Sequence, residues 1–132
     1  MNEATDHFGT AMKHGTVTLL ARVVDNDAQP ITQAGVREAS YSVFLLDDAD
    51  PDARQPVAGH NQVALAVADV VFDALQHDAL WTRDTVGYNF RHTLDVSAAP
   101  AFAVAGRRYL VEYRLDPTDG QPIIIRFRIN VI

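Results

Sequence analysis

Asp48, Asp50 and Asp52 stand at alternate positions, with Asp47 beside the first. That spacing could turn several carboxylate oxygens toward a calcium ion, which takes about six to eight oxygen ligands. The glycine and the distant glutamate of an EF-hand loop are absent, and Pro51 limits how far the segment folds back, so a solvated acidic loop is the competing reading. The five histidines, His7, His14, His60, His77 and His92, never form a His-x-x-x-His pair, so zinc is not signalled. His92 falls in the apolar register between Phe90 and Leu94, where a buried, hydrogen-bonded imidazole or exposure at a strand end is expected ahead of a ligand or a base. Asp69 and Asp73, four apart, are read as marking the N-terminal half and polar side of a short helix. No Gly-x-Ser-x-Gly, phosphate loop or dinucleotide fingerprint occurs, and cysteine is absent, which removes thiol nucleophiles, thiolate metal sites and disulfides together. No catalytic residue and no cofactor is therefore assigned, and the chain is expected to be non-enzymatic. A small hydrolase in which His and Asp converge from distant strands stays open as a third option.

The second group with chemical potential is cationic. Arg108, Arg114, Arg126 and Arg128 share one face of a C-terminal hairpin with Glu112, and arginine is favoured at protein interfaces. Either this is a polar contact surface for a neighbouring subunit, or the arginine stems shield a solvated sheet face. Ten of the eleven basic residues are arginine, with Lys13 the exception.

The element that positions this face is Arg107 to Ile132. Tyr109, Val111, Tyr113 and Leu115 alternate with Arg108, Leu110, Glu112 and Arg114, and Ile123, Ile125, Phe127, Ile129 and Val131 alternate with Ile124, Arg126, Arg128 and Asn130, the period of two of half-buried strands. Asp116 to Pro122 holds the turn formers. With the turn there, Tyr113 should pair with Ile125 and Glu112 with Arg126. Upstream, alternation predicts strands over about 16–24, 37–46 and 88–96, the second with its serines on an outer face. Val63 to Val67 alternates like a strand, and the next segment has helical spacing, which predicts a helix over about 70–77 capped by Asp69, with Trp81 beneath it. Residues 47–56 read as an acidic loop and 97–106 as a loop of small residues. Residues 1–15 lack periodicity and read as a flexible N-terminal arm or a segment ordered only by a partner, leaving 16–132 as one domain.

A chain of 132 residues is one domain by the usual length prior. Its 48% apolar and 21% charged residues match ordinary globular composition. No apolar run is long enough to span a membrane as a helix, and the acidic start offers no secretion signal, so a cytoplasmic or virion location is expected. The net charge of −6 argues against general nucleic-acid binding. That charge is uneven: residues 1–90 hold 5 Lys/Arg against 13 Asp/Glu, whereas residues 91–132 hold 6 against 4.

Short strands with one helical insertion fit an all-β, two-sheet antiparallel sandwich. Gly106-Arg-Arg-Tyr109 followed by alternation resembles the entry into the penultimate strand of immunoglobulin-like and fibronectin-III-like modules, and Asp84-x-Val86-x-Tyr88-x-Phe90 is similar to their Asp-x-Ala-x-Tyr-x-Cys pattern. The resemblance covers 84–132 best and implies that Tyr109 anchors a corner through its hydroxyl. Similar modules occur in bacterial surface proteins and phage-type assemblies. A structural or protein-interaction module is therefore expected, with a protein partner or homo-oligomer; the alternative is a calcium-assisted carbohydrate-binding sandwich using the 47–52 loop.

Overall fold

The computed structural model describes residues 5–25, 27–50, 53–82 and 85–132, and the side chains from residue 11 onward within that set. In chain order its elements are β1 (Thr5–Ala11), β2 (Thr18–Ala21), β3 (Val36–Leu46), β4 (Arg54–Pro56), β5 (Val63–Leu65), α1 (Val67–Val70), β6 (Val71–Gln76), β7 (Tyr88–Thr93), β8 (Arg108–Pro117) and β9 (Ile123–Val131). They form two sheets. The larger runs β1-β9-β8-β3-β4, with β5 also on β3, and the smaller runs β2-β7-β6. Every pairing is antiparallel except β1 on β9. The chain is thus a two-sheet β-sandwich with one short helix.

The C-terminal hairpin forms as its alternation requires. Tyr113 pairs with Ile125 and Glu112 with Arg126. Gly120 takes a φ of 99° in the turn, which a side chain would oppose. Tyr109, Val111, Tyr113 and Leu115 are buried with Ile125, Phe127 and Ile129 against Leu19, Ala21, Phe90 and Val71 of the smaller sheet. Each such side chain contributes about 1.5–3 kcal/mol by leaving water, which is why the alternating face sets the register. Asn89 continues the ladder beyond β2: its side chain accepts the Val23 N–H and donates to the Val23 carbonyl.

Several expectations are corrected. The segment read as a flexible arm contains β1, paired with β9 from Thr5↔Ile125 to Ala11↔Val131. Backbone groups on the edge of β9 supply the bonds, so ordering needs no apolar period in the sequence. The expected helix over 70–77 lies earlier, at Val67–Val70, and 71–76 is strand. The Val71 N–H closes the single turn on the Val67 carbonyl, and Val71 is already extended, with φ −108° and ψ 132°. Its N-cap is Ala66, without a side-chain cap, so Asp69 does not cap it. Asp73 accepts the Gln33 N–H, while the Gln33 amide donates to the Val71 carbonyl and covers the outer edge of β6. Trp81 packs on Tyr88, ring centroids 5.7 Å apart, and not beneath the helix. The stretch read as continuous loop over 47–56 includes β4, paired with Phe44, Leu45 and Leu46.

Candidate functional site

β4 and β5 leave a gap opposite the middle of β3, and the 57–62 segment closes it. The Val57 N–H donates to the Val43 carbonyl, and the Val43 N–H donates to the His60 carbonyl. Gly59 permits this close return: its φ is 83°, and a Cβ there would meet the Ala99 Cβ at 2.9 Å. The result is a concavity of about 920 Å³ on the outer face of the larger sheet. Its floor is Ser40, Ser42 and Phe44 of β3 with Glu112, Arg114 and Asp116 of β8 and Ile124 of β9; Arg54, Pro56, Asn61, Gln62 and Ala64 form its wall. The serine face is outward as read, but Ser42 is covered by the wall, accepting the Gln62 N–H and lying 3.5 Å from Asn61 Oδ1.

The cross-strand register brings together the arginines singled out from the sequence. Arg126 Nε donates to Glu112 Oε2 at 3.0 Å, and Arg54 Nη1 lies 3.6 Å from the same oxygen. Arg54 also lies over the Phe44 ring, 4.2 Å from its centroid. Arg114 Nε donates to Asp116 Oδ1 at 3.0 Å. Arg128 and Arg108 lie on this face one and two rows beyond Glu112, opposite Leu110 and Asn130. The face is therefore a salt-bridged mosaic with half-buried apolar residues at Phe44 and Ile124. Such partly exposed pairs add little stability individually, and their exposed nitrogens and oxygens stay available to a partner.

The acidic loop is organised by local bonds. Asp47 Oδ1 accepts the Ala49 and Asp50 N–H groups, which holds its carboxyl below the ordinary value. Asp48 Oδ2 faces Arg107 Nε at 3.4 Å, and Arg107 Nη2 donates to the Leu46 carbonyl. Asp52, the third residue of the candidate calcium trio, lies outside the described residues. Among the described residues no three His, Cys, Asp or Glu side chains come together as a metal site.

Between the sheets lies a polar cluster that the sequence signalled only at His92. Tyr113 OH and His92 Nδ1 are hydrogen-bonded at 2.7 Å. Tyr41 OH meets His60 Nδ1 at 2.7 Å, and His60 Nε2 meets the Ala99 carbonyl at 2.8 Å. The Tyr41 and His92 ring centroids are 5.0 Å apart. Burial and the neighbouring His60 push His92 down from 6.5 to about 4, so its imidazole is neutral at pH 7. Burial raises the Tyr113 hydroxyl well above its ordinary value, and burial followed by the Asp95 charge raises Tyr41. Neither phenol ionises near neutrality. His92 is thus hydrogen-bonded and half-buried, between the burial and the strand-end exposure that its register allowed. His60 carried no signal, because its partners are 19 and 39 residues away.

The chain matches no protein-family model and no curated protein sequence.

Proposed function

We propose that this chain is a non-enzymatic protein-interaction module of immunoglobulin-like topology, whose docking surface is the outer face of the larger sheet. The observation that carries the reading is the concavity: it is wide, open and lined by paired charges flanking half-buried apolar residues, the composition of a polar protein contact. Glu112 there is held between Arg54 and Arg126, an arrangement suited to exchanging ion pairs with a partner. The topological part is supported by strand order. The runs β2-β7-β6 and β3-β8-β9 correspond to the B-E-D and C-F-G runs of immunoglobulin sandwiches. It is also supported by Tyr109, whose hydroxyl accepts the Val104 N–H at 3.1 Å in the manner of a tyrosine corner.

A subunit of a larger, phage-type or surface assembly is the setting this reading fits, with either a second protein or further copies of the chain as partner. Light scattering across concentration, combined with capture from the native lysate, tests it. Self-association or a captured partner is expected, and Arg126→Glu should abolish either one while lowering the melting temperature only modestly, by the like charge it sets opposite Glu112. A wild-type chain that stays monomeric and retains no partner overturns the reading.

A further inference from the structure

Asp119 is followed by Gly120, and the sequence holds no second Asp-Gly and no Asn-Gly step. Glycine in that place lets its amide nitrogen approach the preceding carboxyl, because no Cβ stands in the way. The last rung of the β8–β9 ladder joins Leu115 to Ile123, so the pair sits beyond it at the tip of the hairpin. Thr118, Asp119, Gly120 and Gln121 are all exposed and bend without a hydrogen bond that closes a turn. The loop is fastened only at its base, where the Thr118 N–H donates to the Gly35 carbonyl and Arg114 Nε donates to Asp116.

Other aspartates are held. The carboxylates of Asp47, Asp73, Asp78 and Asp95 each accept a backbone N–H. Asp116 is paired with Arg114 and precedes Pro117, whose nitrogen carries no hydrogen. Asp69 has no such bond, but the residue after it, Val70, is buried in α1. Asp119 combines a carboxyl and a following N–H that no hydrogen bond or ion pair among the described residues engages. Bringing the Gly120 nitrogen against Asp119 Cγ therefore takes rotations about the bonds of Asp119 itself and breaks nothing that holds the fold.

We propose that Asp119–Gly120 is a site of spontaneous backbone modification, at which the peptide linkage passes through a cyclic imide to an isoaspartyl form. The Gly120 nitrogen bonds to Cγ of the protonated carboxyl, and the carboxyl hydroxyl leaves with the amide hydrogen as water. A second water then reopens the ring. Opening at Cγ restores the original linkage. Opening at the main-chain carbonyl leaves the chain running through Cβ and Cγ, with the former main-chain carbonyl carbon now a free carboxylate. Mass and charge are unchanged, nothing is oxidised or reduced, and water is the only co-reactant. The product carries one more backbone carbon across the tip, between Asp116 and Ile124, which line the concavity. The inference does not depend on what docks there.

Ageing the full chain in mildly acidic heavy-oxygen water at physiological temperature, followed by trypsin cleavage in ordinary water, tests it. Cleavage after Arg114 and Arg126 releases Leu115–Arg126. That fragment should take up heavy oxygen and split with time into two species of equal composition. Electron-transfer fragmentation should place the altered bond at Asp119, while the fragments bearing Asp69 and Asp95 stay single. Asp119→Glu, whose longer side chain closes its ring far more slowly, should lose the second species with the melting temperature unchanged. Because the fold does not restrain the tip, the folded chain should isomerise at a rate comparable to that of the chain unfolded in urea. A wild-type fragment that stays single, or that isomerises only once the chain is unfolded, overturns the proposal.

Discussion

Tyr109 enters β8 with its ring 5.4 Å from Phe102 and its hydroxyl accepting the Val104 N–H. It is buried beside its cross-strand neighbour Ile129. Removing the hydroxyl leaves a backbone N–H short of a partner, so Tyr109→Phe should cost about 0.5–1.5 kcal/mol. Tyr109→Ala also opens a cavity and should cost about 3–5 kcal/mol. Arg128→Ala, on the opposite face, should stay within about 0.5 kcal/mol. Denaturant midpoints check the contrast, and equal responses would mean the hairpin faces the other way. His92 supplies a pH dependence of definite sign. Its folded value lies below its ordinary one, so the unfolded chain binds the proton more tightly, and the contribution present above about 6.5 is lost as pH falls toward 4. Stability measured from pH 7.5 to about 4.5 should therefore fall with decreasing pH, with up to about one proton taken up on unfolding, and His92→Phe should flatten that slope. A slope unchanged by the substitution would assign the effect to other groups.

At the scale of elements, two glycines separate conformational strain from crowding. Gly87 has a φ of 106°, and a Cβ there would lie 2.4 Å from the Gln76 carbonyl oxygen. Gly106 has a φ of 78° with nothing within 4 Å. Gly106→Ala should therefore cost about 1–2 kcal/mol, the left-handed penalty alone, and Gly87→Ala clearly more because two backbones must part. Thermal melts of the two variants check the tightness of the β6–β7 join, and equal losses would mean that the two backbones part freely. That join also explains why β6 was illegible in the sequence. Val71 pairs with Phe90 and Gln76 with Tyr88, so residues 72–75 stand against Asn89 alone. The bulge destroys the period of two, and Val71, Phe72 and Leu75 are left with helical spacing. β1 was hidden for a different reason, since its bonds come from the β9 backbone and leave little imprint on residue type. β8 and β9 were legible because alternation and a proline- and glycine-bearing turn agree, and with them the Arg126–Glu112 pair. The wall of the concavity was not, because it depends on a loop whose fastening residues lie far apart in the chain.

For the whole molecule, the open question in any sandwich is what happens at the rims of its sheets. The larger sheet ends in β1 on one side and in the short, interrupted β4 and β5 on the other. In the smaller sheet β6 is closed by Gln33, whose amide occupies the Val71 carbonyl while Asp73 holds its N–H. A single side chain there stands where another molecule's strand would otherwise dock. Gln33→Ala should raise the rate of thioflavin-positive aggregation at high protein concentration while lowering the melting temperature only slightly, and an unchanged rate would show that the rim is guarded by something else. A raised rate would make the colloidal lifetime of this fold depend on one glutamine, a side chain outside the core that denies templated growth its first rung.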